Sequence, residues 1–464
     1  MVQISVLRGI KPDADAGMRE SMPVNLEPVA IENGVSSGYL ISTPGITSLT
    51  SASGADRGGV FWNDACYRVI GNGLYKLVGS ALTFIGTVPD DGKPVAMDYS
   101  FDRLAIASAG RLLYLTGGVL TAVSDADLGT VKDMIWIDGY FMTTDGTYLV
   151  VTELNDPFSV LPNKYGSSEA DPDPVMGVIK IREEVYACNR YTIEVFQNVG
   201  GNGFPFQRII TAMIPKGIVG TKAKCAFVET FAFVGSGRNE AVSIYLAGPG
   251  QSIPITTNAI DAELQALTDE EQTAIELEAV IRSSEQRLYV HLPNKTLVYS
   301  FQASKKAGFP VWHVLAGGIM ADQAYPLRHY VMADGRYVGG SADGRIGYLD
   351  DGVSTHFGEA AGWQFETVYI YNKGGFIVHE VELVATTGRA EFATDPKCFM
   401  SWSRDGTTFS QERAIGQGKT GERRKRLIWR PCCRSANYMN LRFRGANTAI
   451  ASIMRLEANI EALR

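Results

Sequence analysis

The chain has 464 residues, of which 45% are hydrophobic and 20% are charged. It can bury a large core, and a chain of this length is expected to form more than one domain. The net charge of −7 is modest and by itself indicates only a soluble protein. No stretch approaches the ~20 apolar residues of a membrane helix, and Met1–Ile10 has no basic segment followed by a sustained apolar run. We therefore expect neither membrane insertion nor a signal peptide.

Glycine is abundant relative to proline, with 49 against 19 residues, and helical patterns are few. This balance indicates an all-β protein rich in tight turns. Residues 1–38 are rich in Gly, Pro, Asp and Ser, and we predict that they form an extended N-terminal arm. The next stretch, Tyr39–Leu49, is strand-like and is interrupted by Pro44-Gly45.

Seven hairpin patterns follow, each with two apolar runs joined by a short turn. In Leu104–Leu115 the two runs flank Ala109-Gly110, a small pair that can adopt the positive φ angles of a tight turn. Each hairpin is preceded by another apolar, strand-like segment. The seven hairpins are Cys66–Leu77, Leu104–Leu115, Tyr140–Val151, Val185–Phe196, Phe231–Leu246, Leu288–Phe301 and Tyr337–Leu349.

The starts of these units are 35 to 58 residues apart, with a mean near 43. This mean matches the period of a propeller blade, roughly 40 to 50 residues. A single four-stranded sheet with two apolar faces cannot bury both faces alone, whereas radial stacking buries each face against a neighbour. The sequence therefore predicts a seven-bladed β-propeller over residues 39–355. A propeller avoids an unpaired edge by adding a terminal strand to its last blade, so we predict that Tyr39–Leu49 pairs near Tyr337–Leu349. A large double-sheet sandwich is the alternative fold.

The longest gap between units contains a predicted helical insertion at about 257–279. Asn258 can cap a helix over Ala259–Leu267, and Thr268 with Glu271 forms a capping box that opens a second helix ending near 279. An insertion between blades usually projects from the rim. We therefore treat Glu263, Asp269 and Glu270 as candidate partner contacts, with a packing role for the insertion as the alternative.

The pattern changes after the last unit, where strands are separated by longer polar turns. Six alternating strands predict a small C-terminal β-sandwich over residues 360–456, followed by a tail at 457–464. Residues 397–464 contain 14 Lys and Arg against 5 Asp and Glu, a net charge of +9, which leaves −16 for residues 1–396. The two parts of the chain therefore carry opposite charge.

Basic residues concentrate in this C-terminal domain. Arg442 and Arg444 share one face of a predicted strand, and the cluster could line a surface past which a phosphate backbone moves. An intersubunit surface facing the acidic propeller of a neighbouring copy is the alternative. The candidate residues are Arg423, Arg424, Lys425, Arg426, Arg430, Arg434, Arg442 and Arg444.

No pattern in the sequence indicates a catalytic centre, a metal site or a cofactor. The five histidines, at positions 291, 313, 329, 356 and 379, are never at metal-ligand spacing, and the common hydrolase, phosphate-binding and zinc motifs do not occur. Six cysteines without a spaced framework are expected to be reduced and mostly buried. Ser403–Phe409 resembles the Asp-box turn of sialidases, which is structural even in enzymes.

Several segments together resemble the packaged-DNA stabilisation proteins of short-tailed bacteriophages. Their order and spacing are quite specific, and the likeness runs over about residues 20–456. The segments are Met22–Leu26, Ser36–Leu40 with Pro44–Ile46, Val69–Lys76, Pro215–Thr221, the helical pair before Arg282, Leu288–Pro293 leading to Leu297–Tyr299, and the basic pattern from Arg426–Trp429 to Arg442–Arg444.

The resemblance implies a structural protein of the virion, a tail hub or nozzle subunit that is assembled in the host cytoplasm. Members of that family form a homo-hexameric tube below the portal and its head-to-tail adaptor, with the tail needle and tailspikes attached around it. The tube retains packaged double-stranded DNA and conducts it during ejection. Two alternatives remain open on the residues alone: a carbohydrate-binding or carbohydrate-cleaving propeller, and a general protein-interaction propeller.

Overall fold

The computed structural model describes residues 2–12, 18–30, 38–154, 156–390, 392–430, 433–446 and 450–463. Within these residues the chain forms seven antiparallel sheets of four or five strands, arranged as blades, a β-sandwich of a seven-stranded and a five-stranded sheet, and a two-stranded sheet of Gly9–Pro12 and Met18–Ser21. The innermost strand of each blade contacts the innermost strands of both neighbouring blades, so that the seven sheets close into a ring; in blade 5 this strand is Lys224–Phe227. The predicted all-β fold, a seven-bladed propeller with a C-terminal β-sandwich, is confirmed.

Blades 1 to 4 each contain four consecutive strands, with the first strand at the axis and the fourth at the rim. Blade 1 contains Asp56–Trp62, Ala65–Ile70, Gly73–Val78 and Ala81–Thr87. Blade 2 contains Ala96–Tyr99, Leu104–Ser108, Arg111–Thr116 and Val119–Ala122. Blade 3 contains Asp133–Ile137, Tyr140–Thr144, Tyr148–Val151 and Tyr165–Ser167, and blade 4 contains Val175–Ile181, Glu184–Asn189, Ile193–Asn198 and Phe206–Arg208.

Blades 5 and 7 depart from this simple order, whereas blade 6 follows it. Blade 5 contains Gly217–Ile218, Lys224–Phe227, Thr230–Ser236, Ser243–Gly248 and Gln251–Pro254. Blade 6 contains Glu276–Arg282, Glu285–His291, Thr296–Ser300 and Trp312–Leu315. Blade 7 contains Arg328–Ala333, Arg336–Gly340 and Arg345–Asp350, and its outer strand is Gly45–Ser51 from the N-terminal part of the chain.

The hairpin Leu104–Leu115 shows why the repeat folds as blades. Leu104 pairs with Leu115, and the turn between the strands has φ angles of 48° at Ala109 and 75° at Gly110. All five residues of the strand Leu104–Ser108 are buried, which is expected of a sheet covered on both faces. A hydrophobic cluster lies between every pair of neighbouring blades, seven in all among the described residues, including the pair of blades 7 and 1.

A terminal strand closes the ring as predicted, but it covers different residues from the predicted Tyr39–Leu49. Residues Gly45–Ser51 pair antiparallel with Arg345–Asp350, so a terminal strand does complete the last blade. Gly38–Ser42 instead joins the sandwich, where it pairs with Leu26–Ala30 and with Ser452–Ile453. Pro44 separates the two strands, and the chain passes from one domain to the other at this point.

The sandwich takes strands from both ends of the chain. Its seven-stranded sheet contains Val2–Ile4, Leu26–Ala30, Gly38–Ser42, Phe376–Ala385, Leu427–Trp429, Cys433–Ser435 and Ser452–Ala462. Its five-stranded sheet contains Gly362–Glu366, Ile370–Tyr371, Lys397–Ser403, Arg413–Gly416 and Tyr438–Ala446. One hydrophobic core fills the space between the sheets.

Two predictions about the chain ends are therefore wrong. The described part of residues 1–38 is not a free arm, because Val2–Ile4 pairs with Leu456–Ala458 and the side chain of Leu26 is completely buried. The described residues of this region form short strands. Residues 457–464 are not a tail, because Ser452–Ala462 continues as one strand against Phe376–Ala385.

In the described part of the chain three helices interrupt the strands, α1 (Asn258–Gln265), α2 (Asp269–Thr273) and α3 (Phe301–Ala307), together with 3-10 turns at Ala126–Leu128 and Ile210–Ala212. The capping box of α2 is present, with the Glu271 amide donating to Thr268 Oγ1. The second predicted helix ends at residue 273 and not near 279, because residues 276–282 pair as the first strand of blade 6. Helix α3 was not predicted, since seven residues between two strands carry little helical pattern.

Candidate functional site

A cluster of buried charges near the propeller axis joins three blades, and we call it the axial cluster: Asp56, Arg68, Glu276, Glu278 and His329. Arg68 forms two hydrogen bonds to the carboxylate of Asp56, at 2.6 and 2.8 Å. The imidazole of His329 lies 2.8 Å from Asp56 Oδ1 and 2.9 Å from Glu276 Oε2. The backbone amide of His329 donates to Glu278 Oε2 at 2.9 Å. Blades 1, 6 and 7 are thereby connected through charged side chains.

The axial cluster holds its members in their charged forms. Burial alone would lower the pKa of His329, but the carboxylates of Glu276 and Asp56 raise it to about 10. Burial would raise the pKa of Glu276, but His329 and Arg328 lower it to about 2. The pKa values of Asp56 and Glu278 are also lowered by their cationic partners, despite burial. His329 is therefore an imidazolium that bridges two carboxylates.

The backbone conformation of His329 is also unusual. Its φ angle is 57°, in the left-handed region, and the strand pairing shifts register between Arg328 and Val331. A residue other than glycine costs free energy in this region. The bulge turns the imidazole towards blades 1 and 6, so the ion pairs offset the local strain.

Other side chains cross the propeller axis. The ammonium group of Lys222, in blade 5, donates to the carbonyl oxygen of Val95 at 2.8 Å, beside the first strand of blade 2. Lys224 Nζ lies 2.7 Å from Asp133 Oδ2 in blade 3. A side chain at Gly177 would collide with both groups, so glycine is needed there for this pair to form. The first contact reaches across the ring, and the second joins the blades on either side of blade 4.

The junction of the two domains is centred on Asn25, which is completely buried with a φ angle of 52°. Its side-chain amide donates to the carbonyl oxygens of Ala316 (2.8 Å) and Gly362 (2.7 Å), and its Oδ1 accepts from the amide of Ala316 (3.0 Å). Asn25 therefore bonds at once to the connection after blade 6 and to the first strand of the five-stranded sheet. Asparagine tolerates this conformation better than most residues.

Glu27 provides a second connection between the domains. It lies on Leu26–Ala30 of the sandwich, and its carboxylate accepts hydrogen bonds from Arg287 (2.5 and 2.8 Å) and Arg282 (3.1 Å) of blade 6. Burial would raise the pKa of Glu27, but the two arginines and His313 lower it. The sequence shows these as isolated charges more than 250 positions apart, and no local pattern could have indicated the contact.

The predicted basic residues do not form one surface. Arg426 and Arg430 lie on the outer face of the seven-stranded sheet, where they pair at 2.5 Å with Glu382 and Glu380. Arg434 is exposed on a short strand of the same sheet. A strand alternates its side chains between its faces, and Glu380 and Glu382 point outward because Val381 points into the core.

Arg442 and Arg444 lie on the outer face of the opposite sheet. They share a face as predicted, because the alternate residues Leu441 and Phe443 point into the core. The guanidinium of Arg442 stacks 3.7 Å from the ring centre of Phe409. Arg444 pairs with Glu412 and contacts the sulfur of Met320 in the propeller. These two arginines therefore have partners within their own chain.

The remaining predicted residues belong to two loops at one end of the sandwich, which we call the basic loop cluster. Its residues are Arg389, Lys397, Lys419, Arg423, Arg424 and Lys425, with Asp395 and Glu422 as acidic residues. The loops are held together by the Gly421 amide, which donates to the Gly388 carbonyl at 3.0 Å, and by Thr420 Oγ1, which donates to the Ala390 carbonyl. The cluster carries an excess of positive charge on exposed side chains.

Arg423 and Arg424, like Arg389 of the same cluster, have guanidinium groups without an acidic partner among the described residues. Both are exposed, and in the described part of the chain neither has an acidic partner within 4 Å. Lys397 pairs with Asp395 at 2.6 Å, and Lys425 lies 3.8 Å from Glu422. The two adjacent arginines are thus the basic residues best placed to meet an anionic partner outside the chain.

Family models match both domains in turn. The model described as "Bacteriophage P22 Gp10, beta-propeller" matches residues 2–354, and the model described as "Bacteriophage P22 Gp10, beta-sandwich" matches residues 362–461. The chain belongs to the P22 Gp10 family. It is 28% identical over 450 residues to the "Tail hub protein gp10" of Salmonella phage P22, covering 92% of this chain and 93% of that protein. The resemblance to a tail hub family of short-tailed phages is confirmed, and the chain is a phage tail hub structural protein.

Solved structures of other proteins are more distantly similar to this Gp10 family member. The extracellular domain of a putative one-component system from B. thetaiotaomicron has a TM-score of 0.45 and 12% identity, covering 84% of this chain and 47% of that one. BamB from Moraxella catarrhalis has a TM-score of 0.39 and 13% identity, covering 75% of this chain and 99% of that one. Neither likeness bears on function.

The helical insertion of this Gp10 family member is mainly a packing element. Ile260 and Leu264 of α1 are completely buried in the core between blades 5 and 6. Glu263 pairs with Lys295 of blade 6 at 2.9 Å. Asp269 and Glu270 are exposed at the start of α2 and remain candidate partner contacts.

Other predicted features of this Gp10 family member have structural roles. In the Asp-box turn, the amides of Thr407 and Thr408 donate to Asp405 Oδ1 at 2.9 and 2.7 Å. Cys66, Cys188 and Cys398 are buried free thiols, Cys225 and Cys433 are half-buried, and Cys432 lies outside the described residues. In the described ranges no group of three or more metal-ligating side chains occurs, and no helix is long and apolar enough to span a bilayer.

Proposed function

We propose that the protein is the tail hub, or nozzle, subunit of a short-tailed phage and that six copies form a tube below the portal and head-to-tail adaptor. The tube retains packaged double-stranded DNA, conducts it during ejection and carries the tail needle and tailspikes. The subunit is assembled in the host cytoplasm and resides in the virion. The observation that carries this proposal is the match of both domains, in order and nearly end to end, to the tail hub gp10 of phage P22.

The contacts at the propeller axis bear on the path of DNA. Lys222 reaches from blade 5 to Val95 beside blade 2, and Lys224 pairs with Asp133 of blade 3. Side chains that join opposite blades leave no room for a duplex along this axis. A channel for DNA is therefore expected between subunits, at the centre of the proposed hexamer.

The axial cluster also favours a structural role over glycoside cleavage. Most glycosidases need one carboxylic acid that stays protonated to donate to the leaving group. The pKa values of Asp56, Glu276 and Glu278 are all lowered by histidine or arginine partners, despite burial. We therefore propose that the protein has no catalytic activity, and an assay of glycan turnover by the purified chain tests this directly.

We further propose that Arg423 and Arg424 of the basic loop cluster contact either the passing DNA or a neighbouring subunit. Exposed arginines without acidic partners can neutralise phosphates without reading sequence. They can equally meet the acidic propeller of another copy, since residues 1–396 carry a net charge of −16. The change R423E/R424E tests both forms of the proposal and leaves the internal pairs of Arg426 and Arg430 intact.

The test is made in assembling phage, with R111E/R182E as the control of equal charge change at exposed propeller positions. Loss of packaged genome from particles formed in normal yield supports a DNA contact. A low yield of tailed particles with R423E/R424E alone supports an intersubunit contact. Normal yield and normal retained genome show that the two arginines form only a solvated face.

A further inference from the structure

The rim of the propeller is covered by its own chain at blades 6 and 7. Val314, in the outer strand of blade 6, donates to the Pro23 carbonyl and accepts from the Asn25 amide. The outer strand of blade 7 is covered by the connection to the sandwich, because Gly45 and Ile46 donate to the carbonyls of Val353 and Thr355. These two edges are therefore closed to other molecules.

The outer strands of blades 1 and 2 form a surface that we call rim A. The side chain of Leu120 packs against Gly86, so strands Ala81–Thr87 and Val119–Ala122 are continuous with each other. The side chain of Phe84 is 57% exposed and that of Val119 is 65% exposed. Residues 77–89 and 112–124 contain no charged side chain, although one residue in five of the whole chain is charged. Rim A is an exposed apolar surface of the kind used in protein contacts.

A second surface of this kind, rim B, lies at the outer edge of blade 5. It consists of the strand Gln251–Pro254 and the 3-10 turn Ile210–Ala212, which approach each other at Gly250. The side chain of Ile210 is 76% exposed and that of Ile253 is 55% exposed. Residues 209–215 and 241–260 contain no charged side chain.

The two rims lie on opposite sides of the propeller. Blade 5 is three blades from blade 2 in one direction and three blades from blade 1 in the other, in the ring order of innermost-strand contacts. A contact between two different patches of identical copies continues from copy to copy and can close into a ring, whereas a patch that binds itself stops at a dimer. Two different rims on opposite sides of the propeller are therefore suited to a closed ring of identical copies.

Charge favours a second copy of this chain as the occupant of rim A. Each copy carries −16 on residues 1–396, so two propellers that met through their charged faces would repel each other. The uncharged rims avoid that repulsion and bury apolar side chains instead. We propose that rim A of one copy packs against rim B of the next copy. This contact rests on the hexamer of the proposed function and specifies the surfaces that build it.

The test uses the full-length purified chain and measures its assembly state by analytical ultracentrifugation and electron microscopy. F84D/V119D places charge on rim A, I210D/I253D places charge on rim B, and Y371D is the control at a 65% exposed position of the sandwich. The wild type and Y371D are expected to form rings. Each rim variant alone is expected to stay monomeric while keeping the melting temperature of the wild-type monomer.

An equimolar mixture of the two rim variants gives the sharpest result. Each mixed pair contains one intact rim A and one intact rim B, so the proposal predicts dimers and no larger species. Rings that persist in either variant would overturn the proposed contact without contradicting the hexamer. This result is expected if another tail protein covers rim A. If the wild-type chain is monomeric both alone and on adaptor-loaded particles, the proposed hexamer and the proposed contact are both contradicted.

Discussion

The Nδ1 atom of His329 lies 2.8 Å from Oδ1 of Asp56, and this contact joins the last blade of the propeller to the first. The same imidazole bridges to Glu276 of blade 6. A propeller must hold its ring closed at blade 7, where the outer strand Gly45–Ser51 leads directly into blade 1 but is joined to the other strands of blade 7 only by strand pairing. The buried ion pairs therefore act together with the closing strand Gly45–Ser51.

The first prediction concerns the loss of this bridge. The variant H329Q leaves Asp56 and Glu276 without the imidazolium, and removal of one partner from a buried ion pair costs about 3 to 5 kcal/mol. Urea unfolding should show a decrease of this size in the free energy of unfolding. The control is H379Q, which breaks a surface pair between His379 and Glu461 and should change stability by less than about 1 kcal/mol. Equal stability of H329Q and the wild type would show that the bridge does not hold the ring closed.

The second prediction concerns pH. The pKa of His329 is raised from 6.5 to about 10 on folding, so its stabilising contribution is complete below about pH 6.5 and is lost as the pH rises towards 10. The pKa of Glu276 is lowered from 4.5 to about 2, so its contribution is present above about pH 4.5 and is lost as the pH falls towards 2. The stability difference between the wild type and H329Q should therefore shrink between about pH 6 and pH 10. Urea titrations at the two pH values measure it, and a constant difference would contradict a charged imidazole.

The third prediction concerns the coupling of the two domains. The variant N25G keeps the positive φ angle of Asn25 and removes three hydrogen bonds that join the propeller and the sandwich. At roughly 0.5 to 1.5 kcal/mol for each bond, the loss is about 2 to 4 kcal/mol. Scanning calorimetry should show one unfolding transition separating into two. N63G, at an exposed turn with a φ angle of 46°, is the matched control. A single unshifted transition in N25G would mean that other contacts couple the domains.

The fourth prediction concerns the closing strand. A chain that begins at Ser51 lacks Gly45–Thr50 from blade 7 and also three strands of the seven-stranded sheet. Both domains should therefore melt at lower temperature than in the full chain, with loss of cooperativity. Circular dichroism against temperature measures this. A truncated chain that melted as hot and as cooperatively as the full chain would contradict the observed closure.

Local features of the fold could be predicted from the sequence because their partners are close in the chain. The hairpin Leu104–Leu115 forms as predicted, with the turn at Ala109-Gly110. The strand Val2–Ile4 could not be assigned, because its partner Leu456–Ala458 is more than 450 positions away. A strand of three residues carries no sign of where it pairs.

The candidate sites show the same limit. The concentration of basic residues after position 396 is a property of composition, and it was visible at once. Whether those residues share a surface depends on which sheet each strand joins, and Arg426 and Arg442 lie on opposite faces of the sandwich. The axial cluster was missed because Asp56, Glu276 and His329 come from three blades and each is an ordinary charge in its own segment.

The measurement that tests the central claim most directly is electron microscopy of the purified protein, alone and added to adaptor-loaded particles. The proposal predicts a six-fold ring with a central channel and seven-bladed propellers in each subunit, docked below the portal. A monomer that never assembles and is absent from the virion would contradict the assignment as a tail hub that retains and conducts the genome.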